Sequence, residues 1–151
     1  MTRNILNRVY NIDSRQILES ISQNSEIQTT ITSPPYFDMK DYGSENQVDY
    51  GQKYEDYLND LQNIFGQILR ITKDDGTLWI VIDTFKRNNQ VVSLPFDLAN
   101  KLKDIDWFLQ DIIIWKKDKT VPWSTNGFMQ RKFEYILFFS IPYILMFLSR
   151  V

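Results

Sequence analysis

The chain has 151 residues, 43% hydrophobic and 24% charged, which suits one soluble domain with a substantial core. It contains no cysteine and no histidine, which excludes disulfides, thiolate metal sites and an imidazole base. A net charge of −2 gives no global basic field of the kind that marks many nucleic-acid binders.

Taken in order, the N-terminus has polar Thr2, Arg3 and Asn4 with no apolar run of signal-peptide type behind them, so a cytoplasmic location is the default. Val9 and Tyr10 suggest a short strand. Asp13 and Gln16 have capping-box spacing at the start of a helix from Ser14 to Ile21, with Ile17, Leu18 and Ile21 on one face. Ser22 to Ser25 is a polar turn, and Gln28 to Ile31 is β-prone.

The next stretch, Thr32-Ser-Pro-Pro-Tyr-Phe37, carries the most chemistry. Pro34 and Pro35 cannot continue a strand, so the chain turns sharply at the strand end. Two prolines remove two N–H donors and leave the carbonyls of Ser33 and Pro34 to accept from outside the chain. The Ser33 hydroxyl is one more acceptor, and Tyr36 and Phe37 add flat aromatic surface. A planar ligand with an exocyclic amino group would fit, although a plain Pro-Pro turn followed by a core aromatic accounts for the same residues.

Asp38 to Lys53 is polar and aperiodic, a loop over that turn in which Tyr42, Tyr50 or Tyr54 could meet a ligand. Tyr54 to Thr72 places Tyr54, Tyr57, Leu58, Leu61, Ile64, Phe65, Ile68 and Leu69 at helical spacing, an amphipathic helix packed on a sheet. Lys73-Asp-Asp-Gly76 reads as its end, with Gly76 as the breaker, and Thr77 to Asp83 as a buried strand. Asp83 stands where this strand runs out, the place where open α/β sheets bind ligands; it reads equally well as a loop or N-cap aspartate.

Phe85 to Ser93 is expected to be loop, Pro95 to Ile105 a helix leaving through Asp106 and Trp107, and Leu109 to Trp115 another buried strand. The loop that follows mixes cations with aromatics, and Lys116, Lys117, Lys119, Arg131 and Lys132 form a basic cluster that suits phosphates; its plainer reading is a solvated loop face. Phe133 to Phe139 is a strand expected to pair antiparallel beside the preceding one. Ile141 to Leu148 is an apolar run too short to span a bilayer, so no membrane partner is expected.

Thr32-Ser-Pro-Pro-Tyr36 at a strand end resembles the catalytic motif of the DNA amino-methyltransferases, site-specific enzymes of restriction-modification systems. The resemblance extends through Asp56 to Leu61, Leu69 to Ile80, Asp111 to Lys116 and Phe133 to Phe139, and covers roughly residues 5 to 140. It implies a partial Rossmann-like α/β fold, with a mostly parallel sheet and an antiparallel element near the C-terminus. It implies S-adenosylmethionine as methyl donor, no metal, and duplex DNA as partner, with a base flipped out of the helix and stacked on Tyr36. Ser33, Pro34, Pro35, Tyr36 and Asp83 would be catalytic, Asp13 and Thr32 would meet the donor, and the basic cluster would meet DNA. A serine at position 33 is typical of the N4-cytosine type; N6-adenine remains the alternative. The absence of cysteine agrees with amino rather than C5 methylation.

The family's glycine-rich donor loop of Phe-x-Gly-x-Gly type is absent, since Gly43, Gly51, Gly66, Gly76 and Gly127 never fall in that pattern. Residues 1–140 therefore read as the catalytic portion of such a domain, and residues 141–151 as an interface or truncation-derived tail, with a last core segment as the alternative. A second chain supplying the glycine loop, a non-catalytic remnant, and an RNA or protein amino-methyltransferase all stay open.

Overall fold

The computed structural model describes residues 7, 9–16, 27–37, 43, 47, 48, 51–118 and 132–142. A four-stranded sheet is built from β1 (Ile27–Thr32), β2 (Thr72–Ile82), β5 (Phe108–Lys116) and β6 (Phe133–Ser140), in the spatial order β1-β2-β6-β5. β1 and β2 pair in parallel, whereas β6 lies between β2 and β5 and is antiparallel to both. β1, β2 and β5 therefore share one direction, and the C-terminal strand runs against them, as the β-prone run at Phe133 suggests. It pairs with β2 as well as with the preceding strand.

Parallel neighbours need a crossover, and α1 (Tyr54–Ile71) provides it between β1 and β2. Its apolar stripe at Tyr57, Leu58, Leu61, Ile64, Phe65, Ile68 and Ile71 is buried against one sheet face. A second helix, α2 (Leu94–Lys103), carries the chain from β2 back to β5 and buries Leu94, Leu98, Ala99 and Leu102 in the same core. Leu78, Ile80, Ile82, Leu137 and Phe139 meet the helices at 4% exposure or less. The buried Trp107 donates its indole N–H to the Phe65 carbonyl (3.1 Å), which ties the exit of α2 to α1.

Alternation leaves the other side chains of these strands on the opposite face. There Trp79 and Phe138 stack at 4.2 Å and remain half-buried. Ile31, paired with Trp79 on the same face, is 73% exposed. β5 is likewise not the buried strand that its Ile-Ile-Ile run suggests: it is the sheet edge, and Ile113, Ile114 and Trp115 are exposed.

Several local expectations change. No strand forms at Val9 and Tyr10, which are exposed. Ser14–Gln16 make a single 3-10 turn, and the rest of the helix expected to Ile21 lies outside the described residues. The segment Phe85 to Ser93 is a hairpin, not a loop: β3 (Phe85–Arg87) pairs with β4 (Gln90–Val92). Asn88 and Asn89 take φ of +50° and +63°, the positive pair that a two-residue type I′ turn requires and that asparagine tolerates. Ile141 packs against the core, and residues 143–151 lie outside the described residues.

Gly76 does not end a helix. α1 stops at Ile71, where Thr72 returns its hydroxyl to the Ile68 carbonyl (2.7 Å), and β2 begins at once. The β1–β2 register jumps from Ile27↔Thr72 to Thr29↔Thr77, so Lys73 to Gly76 are folded into an irregularity of the ladder. A Cβ at Gly76 would stand 2.5 Å from Thr72 Cγ2, 2.9 Å from the Lys73 carbonyl and 3.1 Å from that of Gln28. Gly76→Ala should therefore cost about 1–3 kcal/mol in urea unfolding. Thr72→Ser in the same chain should restore only part of the loss, because the Lys73 carbonyl remains in the way. Full recovery would show that the side-chain contact alone excludes Cβ.

Candidate active site

Ser33 follows β1 directly and Asp83 follows β2. The pairing of Thr32 with Ile80 brings both to the carboxyl edge of the sheet. Tyr135 of β6 pairs with Ile82 and joins the same edge, as do Lys116 at the end of β5 and Lys132 just before β6. The topology thus collects Ser33, Pro34, Pro35, Tyr36, Asp83, Lys116, Lys117 and Lys132, and places them where parallel strands leave backbone and loops open to a ligand.

The turn is held from beneath. Pro34 and Phe37 are buried, Pro35 and Tyr36 half-buried, and Ser33 exposed. The Tyr57 hydroxyl, on the first turns of α1, donates to the Pro35 carbonyl. Phe37, 1% exposed, is enclosed by Tyr54 (5.2 Å, edge-on), Tyr57 (5.3 Å) and Phe85 (6.0 Å), with the Arg87 guanidinium 5.1 Å from its ring centre. The Tyr54 hydroxyl in turn donates to Asp97 Oδ2 of α2 (2.8 Å). Burial first, and then the Asp97 carboxylate, push its pKa up, so the phenol stays neutral and keeps its proton on that bond.

These bonds sort the acceptors of the turn. The Pro35 carbonyl is taken by Tyr57. Among the described residues nothing bonds the Ser33 hydroxyl or the Pro34 carbonyl, two acceptors of consecutive residues on the turn that carries the half-buried Tyr36. Asp83 is half-buried, and its Oδ1 accepts from the Thr84 amide (2.7 Å), which aligns the carboxylate at the strand end. Thr32 is half-buried in the last position of β1.

Asp13 is not brought to this edge. Its carboxylate caps the Ser14–Gln16 turn through the Arg15 amide (2.9 Å) and pairs with the Arg15 guanidinium (2.6 Å), whose hydrogen bonds hold its pKa below the usual range. The Arg15 carbonyl accepts from Gln67 near the end of α1, so this turn sits at the amino edge. A polar cleft of about 850 Å³, lined by Arg15, Asp60, Asn63, Arg70 and Asp104, lies there too, away from Ser33.

Of the basic cluster, Lys116 and Lys132 are exposed. Lys117 pairs with Glu134, lies 5.6 Å from the Trp115 ring, and donates its amide to the Lys132 carbonyl (2.7 Å). Lys119 and Arg131 lie outside the described residues, as do Tyr42 and Tyr50. Sequence reasoning misses Tyr57, which it reads only as part of an apolar stripe, and Arg87, which it assigns to a loop.

Tyr57→Phe keeps the ring in the cluster and removes one donor, so stability should fall by about 1 kcal/mol. The Tyr36 and Phe37 amides should exchange hydrogen faster. Phe37→Ala should cost about 3–5 kcal/mol by opening the cluster itself. Unchanged exchange in Tyr57→Phe would show that the turn is not held by this bond.

The chain matches the N6/N4 methyltransferase family, described as DNA methylase, over residues 27–145. The type II methyltransferase M.SmaI of Serratia marcescens is 29% identical over an alignment of 158 positions that covers 85% of this chain and 53% of that protein. The structure of TTHA0409 from Thermus thermophilus, solved with S-adenosyl-L-methionine, matches with a TM-score of 0.65 at 25% identity, over 86% of this chain and 53% of the other. The PvuII DNA methyltransferase, cytosine-N4-specific, shares the fold with a TM-score of 0.68 at 16% identity, over 87% and 48%. The chain thus spans about half the length of the relatives it matches. It belongs to the N6/N4 DNA methylase family.

Proposed function

We propose that the chain carries the base-capturing half of a site-specific DNA methyltransferase that modifies the exocyclic N4 amine of cytosine. The observation that carries this reading is the pair of acceptors, Ser33 Oγ and the Pro34 carbonyl, on the turn that carries Tyr36 and whose third oxygen is already engaged by Tyr57. An amine inside a duplex is out of reach, so the cytosine is flipped and stacks on Tyr36. Its N4 lone pair is delocalised into the ring and is a poor nucleophile. Accepting both N4 hydrogens at Ser33 and Pro34 favours the pyramidal amine that attacks, and the acceptors stand ready before the reaction. Asp83, aligned by the Thr84 amide, stands at the same edge to assist loss of the proton.

The family resemblance points to S-adenosylmethionine as the source of the electrophilic methyl group. The described residues do not complete a pocket for it: Asp13 is held by Arg15 at the amino edge, which leaves Thr32 and Ser33 as one wall. The donor site is completed by residues outside those described, a glycine-rich loop of the family type among them. Duplex DNA as substrate implies activity in the cytoplasm. The Ser33 side chain supports N4-cytosine over N6-adenine as target.

Calorimetry on the chain alone should detect weak or no binding of S-adenosylmethionine; a low-micromolar complex would sink the incomplete-pocket reading. With the donor half supplied in trans, Ser33→Ala should slow methyl transfer to duplex DNA by about two orders of magnitude, with DNA affinity little changed. Tyr36→Ala should weaken capture of the flipped base by roughly 1–3 kcal/mol, whereas Tyr36→Phe should be nearly silent. Equal damage from both Tyr36 changes would assign the role to the hydroxyl and withdraw the stacking platform.

A further inference from the structure

We propose that an aromatic patch formed by Phe96, Tyr135 and Phe133 is a second stacking platform for DNA, taking an unpaired base that is not the methylation target. This rests on the methyltransferase reading and adds to it a group of rings that neither the Tyr36 turn nor the basic cluster includes. The cross-strand pairs Ile114↔Tyr135 and Lys116↔Phe133 continue the alternation of Ile112↔Leu137, so they lie on the helix side of the sheet at its carboxyl end. Phe96, in the first turn of α2, stands edge-on to the Tyr135 ring (5.5 Å), and so does Phe133 (5.3 Å). Tyr135 packs against the core and anchors the group, whereas Phe96, Phe133 and Ile114 lie outside it. Phe96 is 42% exposed and Ile114 54%, an apolar surface that the fold leaves open.

Two observations favour DNA over an apolar protein segment as the occupant. The first is charge. Lys116 faces Phe133 across the ladder, Lys132 precedes it, and both are exposed, which is the mixture of rings and cations that takes up bases and their phosphates. The acids that flank the rings in sequence, Asp97 and Glu134, are engaged by Tyr54 and Lys117, while Asp118 is exposed beyond β5. The second is place. Tyr135 pairs with Ile82, one residue before Asp83, so the rings share the edge that presents Ser33 and Tyr36. Two strand spacings of about 4.8 Å separate β1 from β6. That is roughly three nucleotide steps of about 3.4 Å each, so this patch and Tyr36 take different bases. A base leaving the duplex costs the stack its pairing and continuity, and a ring surface that takes a neighbouring unpaired base offsets part of that cost without reading sequence.

The test uses the chain as it stands and two fluorescently labelled duplexes of one sequence, fully paired in one and carrying a short central run of unpaired bases in the other. Anisotropy titrations at low salt, repeated over a range of sodium chloride concentrations, should show that the unaltered chain prefers the interrupted duplex. Phe96→Ala should weaken that complex roughly five- to a hundredfold, the range for one stacked base, and leave the paired duplex little changed. The slope of log affinity against log salt should stay the same, because no charge is lost. Phe96 lies outside the core, so these variants keep the fold. Phe96→Tyr and Phe96→Trp keep a ring and should retain the preference, whereas Phe96→Leu should lose it. Phe108→Ala, which removes a 40% exposed ring at the amino end of β5, should change nothing. No preference for the interrupted duplex, or the same preference in Phe96→Ala, would overturn the platform and leave the DNA reading standing. A preference retained by Phe96→Leu would make the patch an apolar docking face and likewise overturn it. No binding of either duplex by the unaltered chain even at low salt would overturn both.

Discussion

The turn after β1 cannot hold itself, and the rest of the described structure follows from that. Pro34 and Pro35 have no N–H, so neither can donate to a ladder or close a turn through its own amide. The restraint comes from the helix that crosses back to β2. Tyr57 bonds the Pro35 carbonyl, while the same ring and Tyr54 enclose Phe37. For this to work, α1 must sit in one rotational setting on the sheet. Its buried stripe from Leu58 to Ile71 gives that setting, and the bond from Tyr54 to Asp97 secures it against α2. A core of ordinary composition thereby becomes a jig for two carbonyls and one hydroxyl.

Much of this was legible in the residues because it rests on period and turn chemistry. The stripe of α1 repeats at helical spacing and the structure returns it almost residue for residue; the Pro-Pro turn and the strand run after Thr77 are equally local signals. What was not legible depends on partners far away in sequence. An Ile-Ile-Ile run reports β-propensity but not coverage, and Ile113 and Ile114 lie on an edge strand. Gly76 beside Lys73 imitates a helix cap, yet the missing Cβ answers first to Thr72 Cγ2 and the Lys73 carbonyl, which the irregular ladder folds over it, and then to the Gln28 carbonyl on the next strand. The hairpin strands of three residues each are too short for any alternation to register. Asn88-Asn89 was the one available clue, as a pair that accepts positive φ.

Tyr57 is the instructive omission. By spacing it is a core residue, and it is indeed fully buried by area. A buried phenol must place its hydroxyl proton somewhere, however, and the nearest backbone without internal partners is a turn made of prolines. A tyrosine rather than a phenylalanine in an otherwise apolar stripe, one crossover away from a Pro-Pro turn, is a sequence signal for such a bond.

The acidic balance of the chain also needs a local reading. Lys117 is paired with Glu134 and joined through its amide to Lys132, so its work is to close the end of the β5–β6 ladder. An ion pair at this exposure contributes little to stability and little to an outward field. Among the described residues, exposed cations at the carboxyl edge include Lys53 before α1, Lys86 and Arg87 on the hairpin, Lys116 at the end of β5 and Lys132 just before β6. Phosphate attraction depends on charges within about a Debye length, roughly 8–10 Å, so cations gathered at one edge act on a backbone there, opposed by Asp83 and Asp118 at the same edge, while more distant acids are screened. A net charge of −2 is therefore compatible with an edge that attracts an anion, because topology gathers residues 32, 83, 86 and 116 in one place while composition averages them over the whole surface.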